Sequence, residues 1–335
     1  MPGNLKDIKA VLATVQYEPK HLKTMIDAFA PAPVFHFSPR DSKGIQAVLD
    51  KVDVAVLDSD LNDLILQAPG LKWIHCNHAG LAKSARPEVF IRGIILTGAA
   101  GRSAPSLSEH VFFFALSHVY DAPRLHEAQK EGDWSRFAKQ FAASKGLSSK
   151  TMGIIGLGNT GRAVATRAKA FQMRALGYNR SDLNPIPEGI DEFYCKQRGD
   201  GFERLLKESD FIVLSCGLTD ETYHMIGTEE FSVMKPTACL INISRGAVVD
   251  EEALLAALEN NVIARAASDV FETEPLPKES PLWRLPNMMI TPHATPRVAD
   301  IQFSALQILL ENIEHYRRGE PMKNRLTDRD VYTKA

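Results

Sequence analysis

Eight residues near the middle of the chain, Ile154-Ile155-Gly156-Leu157-Gly158-Asn159-Thr160-Gly161, have the glycine spacing of a phosphate-binding turn. In such a turn the first glycine permits a tight bend and the second lets backbone approach a pyrophosphate. The third lets a helix pack closely on a strand, with the helix amino end facing the anion. A dinucleotide is the ligand this chemistry suits. About 20 residues further on, a carboxylate would hold the ribose diol of NAD, but this chain has Asn179-Arg180-Ser181. A carboxylate would repel a 2′-phosphate, whereas a guanidinium pairs with it and a hydroxyl adds a hydrogen bond. The tripeptide therefore predicts NADP(H) as the preferred cofactor, with NAD(H) second.

Three later segments bring together polar groups that could do chemistry. Asn242-Ile243-Ser244-Arg245-Gly246-Ala247-Val248-Val249-Asp250 ends a strand in an arginine and opens a helix. Ser268-Asp269-Val270-Phe271-Glu272-Thr273-Glu274-Pro275 ends another strand in a group of acids. Thr291-Pro292-His293-Ala294-Thr295-Pro296 follows the last strand with a histidine between prolines. The four cysteines, Cys76, Cys195, Cys216 and Cys239, have none of the CxxC or Cys/His spacings of a zinc site, so no metal is expected and free thiols in a reducing compartment are.

These segments need a scaffold of alternating strands and helices. A strand over 151–155, a helix over 162–171 and a strand from Arg174 to Tyr178 make one βαβ unit. Short apolar runs near Ala10, Val34, Val52 and Leu71 form one strand series, and runs at Thr151, Arg174, Phe211, Ala238, Ile263 and Met288 form another. The pattern predicts an α/β protein with parallel sheets in both halves. A helix over 104–128 joins the two series, and a helix over 298–317 carries the chain back toward the first. The expected domains are residues 1–101 with 298–335, and residues 102–297. The active site is expected in the cleft between them, closing by a hinge near Arg102 and Arg297.

With 335 residues, 44% of them hydrophobic, the chain can bury two cores. Its 39 basic against 41 acidic residues give a formal charge of -2, so no global field favours nucleic acid or an anionic membrane. The densest apolar run, residues 111–119, is too short to span a bilayer. The first 15 residues lack the layout of a secretory or transit signal, which leads to the expectation of a cytoplasmic protein.

Taken together, the glycine fingerprint, the NxxRGxxVD segment, the DVFExEP segment and the TPH segment resemble the NAD(P)-dependent D-2-hydroxyacid dehydrogenases, in order and spacing, over nearly the whole chain. The likeness is to the glyoxylate/hydroxypyruvate reductase-like members. It implies a Rossmann dinucleotide-binding domain beside a flavodoxin-like substrate domain, a homodimer, and hydride transfer between NADP(H) and a small 2-oxo acid. It implies three catalytic residues. Arg245 would pair with the substrate carboxylate and carbonyl oxygen, His293 would donate the proton, and Glu274 would partner and orient His293. Glu272 competes with Glu274, but Glu274 holds the position before Pro275 in the family pattern.

For the cofactor the resemblance implies Gly156, Gly158, Asn159, Thr160, Gly161, Asn179, Arg180, Ser181, Cys216, Gly217, Thr222, Ile243 and Asp269. For the substrate it implies Asn77, His78, Ala79 and Gly80, together with Arg245. Small residues are usual before that loop's glycine, so His78 is a departure, open to substrate contact, a narrowed pocket or solvent. A further departure is Gly217 where proline is usual. A second class of function on the same fold is a cofactor-sensing, corepressor-like binding protein, against which the lack of a long basic or disordered tail argues.

Overall fold

Aliphatic and β-branched runs that strands bury on both faces recur through the chain, and they assemble into two separate sheets. In the computed structural model, which describes residues 7–136, 138, 146–295 and 299–334, the chain divides into Met1–Ser103 with Arg297–Ala335, and Ala104–Pro296. Arg297 and Val298, where sequence puts the second boundary and one hinge, lie outside the described residues, as do Pro296 and the first residues of the chain.

The first unit carries β1 (Val11–Ala13), β2 (Val34–His36), β3 (Val54–Leu57), β4 (Trp73–Cys76) and β5 (Ile95–Gly98). Their spatial order is β2-β1-β3-β4-β5, all parallel, with a short final strand, Arg325–Leu326, added antiparallel beside β5. This is flavodoxin-like order. Every residue of β1, β3 and β4 is buried, and alternate residues feed opposite faces. Leu12, Ala55, Leu57 and Ile74 pack on one side. On the other, Val11, Val54 and Trp73 meet Met25 and Phe29 of the helix Pro19–Phe29 and Leu306, Leu309 and Tyr316 of the helix Ile301–Arg318. Trp73 stacks on Tyr316 with ring centroids 5.1 Å apart, so the returning C-terminal helix belongs to the core of this unit.

The second unit carries β6 (Thr151–Ile155), β7 (Arg174–Asn179), β8 (Glu192–Cys195), β9 (Phe211–Leu214), β10 (Cys239–Asn242), β11 (Arg265–Ser268) and β12 (Met288–Ile290). They form one parallel sheet in the order β12-β11-β10-β9-β6-β7-β8. That is Rossmann order, and the winding reverses between β6 and β9, where such folds receive their ligands beyond the carboxyl ends of the strands. Both sheets are thus mainly parallel, as the sequence pattern requires.

The helix expected over 104–128 is two helices, Ala104–Tyr120 and Ala122–Glu131. They are separated by Asp121 in left-handed conformation, φ 48°. Its carboxylate sits 3.0 Å from Arg265 and 3.3 Å from Arg124, pairings that hold the break in place. Among the described residues no helix is long and apolar enough to cross a membrane.

Candidate active site

The turn after β6 uses each of its three glycines differently. Gly156 has φ 97°, and a Cβ there would lie 2.6 Å from the Cys216 nitrogen. At Gly161 a Cβ would lie 2.0 Å from the Gly156 carbonyl oxygen. Gly158 is exposed, and a Cβ on it would meet nothing within 4 Å. Two of the glycines therefore serve packing, and the third keeps a space clear. That space lies at the start of the helix Asn159–Ala170, with Asn159 and Thr160 in its first turn, so the residues fit the pyrophosphate of a dinucleotide. The turn is fastened behind: the Gly156 amide donates to the Tyr178 carbonyl at 2.8 Å, and Ser215 Oγ donates to the Gly156 carbonyl at 2.7 Å.

At the end of β7, Asn179 has its side chain engaged. Its Oδ1 accepts from the Leu157 amide at 3.3 Å and its Nδ2 donates to the Ser181 carbonyl at 2.8 Å. Asn179 thus ties the glycine turn to the loop that carries Arg180 and Ser181. The Arg180 carbonyl accepts from the Gln197 amide at 3.1 Å, which fixes the backbone of that loop to the residues following β8.

After β9, Cys216 abuts Gly156 and burial pushes its thiol up to about 12, so it stays protonated. Cys76 and Cys239 are pushed up to about 12 by burial as well, and all four cysteines are free. Gly217 is exposed. Thr222 closes its own loop, accepting from the Thr219 amide at 2.8 Å and donating to the Gly217 carbonyl at 2.7 Å.

Arg245 follows β10 on a turn built by Asn242. Asn242 Oδ1 accepts from both the amide and the hydroxyl of Ser244, at 3.0 and 2.7 Å, and its Nδ2 donates to the Arg245 carbonyl at 3.1 Å. Ile243 is buried in the core beneath. Gly246 presses on the next loop so closely that a Cβ would lie 1.8 Å from the Phe271 carbonyl carbon, which brings the Arg245 turn against the loop holding Glu272 and Glu274. Asp250 caps the helix Glu251–Glu259, accepting from two amides at 3.0 Å.

The two competing acids have different partners. Glu274 Oε1 accepts from the Phe271 amide at 2.9 Å, and its Oε2 lies 2.6 Å from His293 Nδ1. Glu272 Oε1 instead lies 2.8 Å from His224 Nε2. With its Nδ1–H given to a carboxylate, His293 keeps Nε2 as the nitrogen for proton exchange. His224 was not singled out in sequence, since nothing local ties it to an acid 48 positions away.

Asp269, expected beside the cofactor, is 1% exposed and turned into the histidine loop. It accepts from Thr291 Oγ1 at 2.6 Å, from the Ala294 amide at 3.2 Å and from the Thr295 amide at 3.4 Å.

In the first unit, Asn77 lies just past β4 and is 5% exposed. Its Oδ1 accepts from the Tyr17 hydroxyl at 2.5 Å, and its carbonyl accepts from Arg102. Burial lowers the Arg102 guanidinium and raises the Tyr17 phenol. Asn77 therefore braces the loop from inside. His78 lies with Nδ1 3.2 Å from the Ala79 carbonyl and Nε2 3.8 Å from Asp60, and Gly80 turns the chain with φ 77°.

A family model described as D-isomer specific 2-hydroxyacid dehydrogenase, NAD binding domain, matches residues 112–295. The glyoxylate reductase of Thermococcus litoralis is 37% identical over 298 residues, covering 87% of this chain and 85% of that protein. The D-3-phosphoglycerate dehydrogenase of Methanocaldococcus jannaschii is 36% identical over 285 residues, covering 83% of this chain and 53% of that protein. Among solved structures, a D-isomer specific 2-hydroxyacid dehydrogenase from Xanthobacter autotrophicus Py2, in complex with NADPH and MES, has a TM-score of 0.80 at 26% identity and covers 97% of this chain and 100% of that one.

Proposed function

The chain belongs to the D-isomer specific 2-hydroxyacid dehydrogenases, which makes it an oxidoreductase, and on that premise we propose that it reduces a small 2-oxo acid such as glyoxylate or hydroxypyruvate, with NADP(H) preferred over NAD(H). The observation that carries the reading is the 2.6 Å pairing of His293 Nδ1 with Glu274, in the loops that follow two strands of the same parallel sheet that carries the glycine-built turn.

When bound, the nicotinamide supplies the hydride that adds to the carbonyl carbon. The rest is the work of side chains. Arg245 binds the substrate carboxylate and stabilises the negative charge that grows on the carbonyl oxygen. His293 gives that oxygen a proton from Nε2 and takes it back in the oxidative direction. Glu274 holds the ring through Nδ1 and offsets the charge of the imidazolium; its own second oxygen is fixed by the Phe271 amide. Gly156, Gly158 and Gly161, with Asn159 and Thr160, receive the pyrophosphate, and Arg180 and Ser181 receive the 2′-phosphate. Cys216, Gly217, Thr222 and Ile243 belong to the loops around the dinucleotide, and Asp269 to the loop of His293. The loop from Asn77 to Gly80 is assigned to substrate, and the assembly to a homodimer.

Two relatives support different substrates, a glyoxylate reductase and a phosphoglycerate dehydrogenase, and a neighbour crystallised with NADPH supports the cofactor. The test is a panel of glyoxylate, hydroxypyruvate, pyruvate, phenylpyruvate and branched 2-oxo acids, each assayed with NADPH and NADH, with His293→Ala as control. Turnover on one or more acids, lost in the control by a factor on the order of 10² to 10⁴, is expected. No turnover on any acid overturns the reading.

A further inference from the structure

His293 has a left-handed backbone, φ 49°, which a histidine keeps only when its surroundings hold it there. Among the described residues, Asp269 accepts from three successive amides of this turn, from His293 through its carbonyl at 2.9 Å and from Ala294 and Thr295 through its carboxylate at 3.2 and 3.4 Å. Asp269 is in turn bound by Thr291 Oγ1 at 2.6 Å, and Thr291 Oγ1 lies 3.1 Å from His110 Nε2. A hydroxyl that donates to a carboxylate can only accept on its other side, so the proton between His110 and Thr291 sits on His110 Nε2. The direction of both bonds is thereby fixed.

Resting on the reading of His293 as the proton donor, we propose that His110 and Thr291 are positioning residues: a chain of two hydrogen bonds, His110 to Thr291 to Asp269, fixes the carboxylate that shapes the His293 turn. The helix Ala104–Tyr120 anchors the far end, where the His110 ring meets Phe114 edge-on at 4.5 Å and Phe113 at 5.4 Å. Burial lowers His110 from the ordinary histidine range, so its ring stays neutral and serves as a fixed N–H donor at working pH. The anchor reaches from position 110 to position 291, and nothing in the local pattern of either segment announces it.

The test uses the full chain in five variants: His110→Phe, which keeps the aromatic packing and removes the donor; His110→Gln, which restores one; Thr291→Val; Thr291→Ser; and His293→Ala. Steady-state kinetics are joined by NMR of the histidine-¹⁵N-labelled protein, reading the His293 Nδ1 proton in its bond to Glu274. We expect kcat to fall about fivefold in His110→Phe and about tenfold to a hundredfold in Thr291→Val, since the latter takes a donor from a buried carboxylate. KM should stay within about twofold, and His110→Gln and Thr291→Ser should recover most of kcat. Among the four variants that keep His293, the Nδ1 proton signal should broaden or move in His110→Phe and Thr291→Val only. Wild-type kcat and an unmoved signal in both of those variants, with activity lost in His293→Ala, overturn the proposal while the proton-donor reading stands. Equal losses in the rescue variants overturn it too. If His293→Ala keeps its turnover, the donor reading itself fails, and the NMR signal still decides whether the chain shapes the turn. Should Thr291→Val not fold, His110→Phe carries the test.

Discussion

Glu272 Oε1 stands 2.8 Å from His224 Nε2, while two residues on, Glu274 meets His293 at 2.6 Å. The acids of one loop thus serve different histidines. Glu272 also accepts from the Glu251 amide at 3.3 Å, and its own amide donates to Glu251 Oε1 at 2.6 Å, so it fastens the loop to the helix Glu251–Glu259. Glu274→Gln should therefore lower kcat by roughly tenfold to a hundredfold, a part of the 10² to 10⁴ that loss of the histidine itself costs. Glu272→Gln should leave kcat within about threefold, the size of one neutral hydrogen bond lost at a half-exposed site, and lower the Tm slightly. Kinetics of the two variants side by side check this; an equal loss in both would return Glu272 to the dyad.

The glycine turn separates stability from cofactor binding. A Cβ at position 161 would press on the Gly156 carbonyl oxygen at 2.0 Å, so Gly161→Ala should destabilise the second unit by an overpacking penalty of about 1–3 kcal/mol. A Cβ at position 158 meets nothing within 4 Å, so Gly158→Ala should fold with an unchanged Tm and yet bind dinucleotide more weakly, because on the proposed reading the methyl enters the space that receives the pyrophosphate. Thermal melts with and without NADPH separate the two. Gly158→Ala with native cofactor affinity would mean the phosphates lie elsewhere.

Acid should loosen the first unit through His75. Burial, reinforced by the neighbouring His78 and Arg102, pushes its imidazole from the ordinary 6.5 down to about 3. The folded chain keeps this ring neutral while the unfolded chain takes up a proton, so the stability it contributes is complete above about pH 6.5 and is lost as pH falls toward about 3. In the second unit His118, pushed down to about 4 mainly by burial, acts in the same sense. Urea midpoints should be lower at pH 5 than at pH 7.5, and His75→Gln should narrow that gap. An unchanged gap would assign the acid sensitivity to other groups.

What the sequence made legible follows from locality. The glycines at 156, 158 and 161 act on their own turn, and Glu274 and His293 sit in short runs whose order is itself the signal. β1, β3 and β4 are uniformly buried, so their aliphatic content marks them. β8 was missed because Glu192–Cys195 is a half-buried edge strand with a charged residue in it. β5 was also missed, although the apolar run at Ile94–Leu96 after Gly93 would have marked it. The break at Asp121 depends on Arg265, distant in sequence. The turning of Asp269 into the histidine loop, the engagement of Asn77 by Tyr17 and the pairing of His224 with Glu272 are likewise products of the assembled sheets, and no periodicity encodes them.

On the proposed reading cofactor choice rests on Arg180, and the structure gives Asn179 a different part. The Asn179 amide is held between Leu157 and Ser181, so its contribution is to set the loop that presents Arg180 and Ser181. A guanidinium on a phosphate contributes about 1.5–3 kcal/mol, and each 1.4 kcal/mol is tenfold. The unmodified enzyme should then prefer NADPH over NADH by roughly tenfold to a few hundredfold in kcat/KM. Arg180→Ala should remove most of that preference by weakening NADPH alone. Asn179→Asp keeps an acceptor for the Leu157 amide but sets a carboxylate against the Ser181 carbonyl, now without a proton to donate. It should move the ratio toward NADH through repulsion of the 2′-phosphate, and it should lower the Tm, because the tie between the two loops is lost. Equal kcat/KM for the two cofactors in the unmodified enzyme would remove Arg180 from the site, and a native Tm in Asn179→Asp would remove Asn179 from its bridging role.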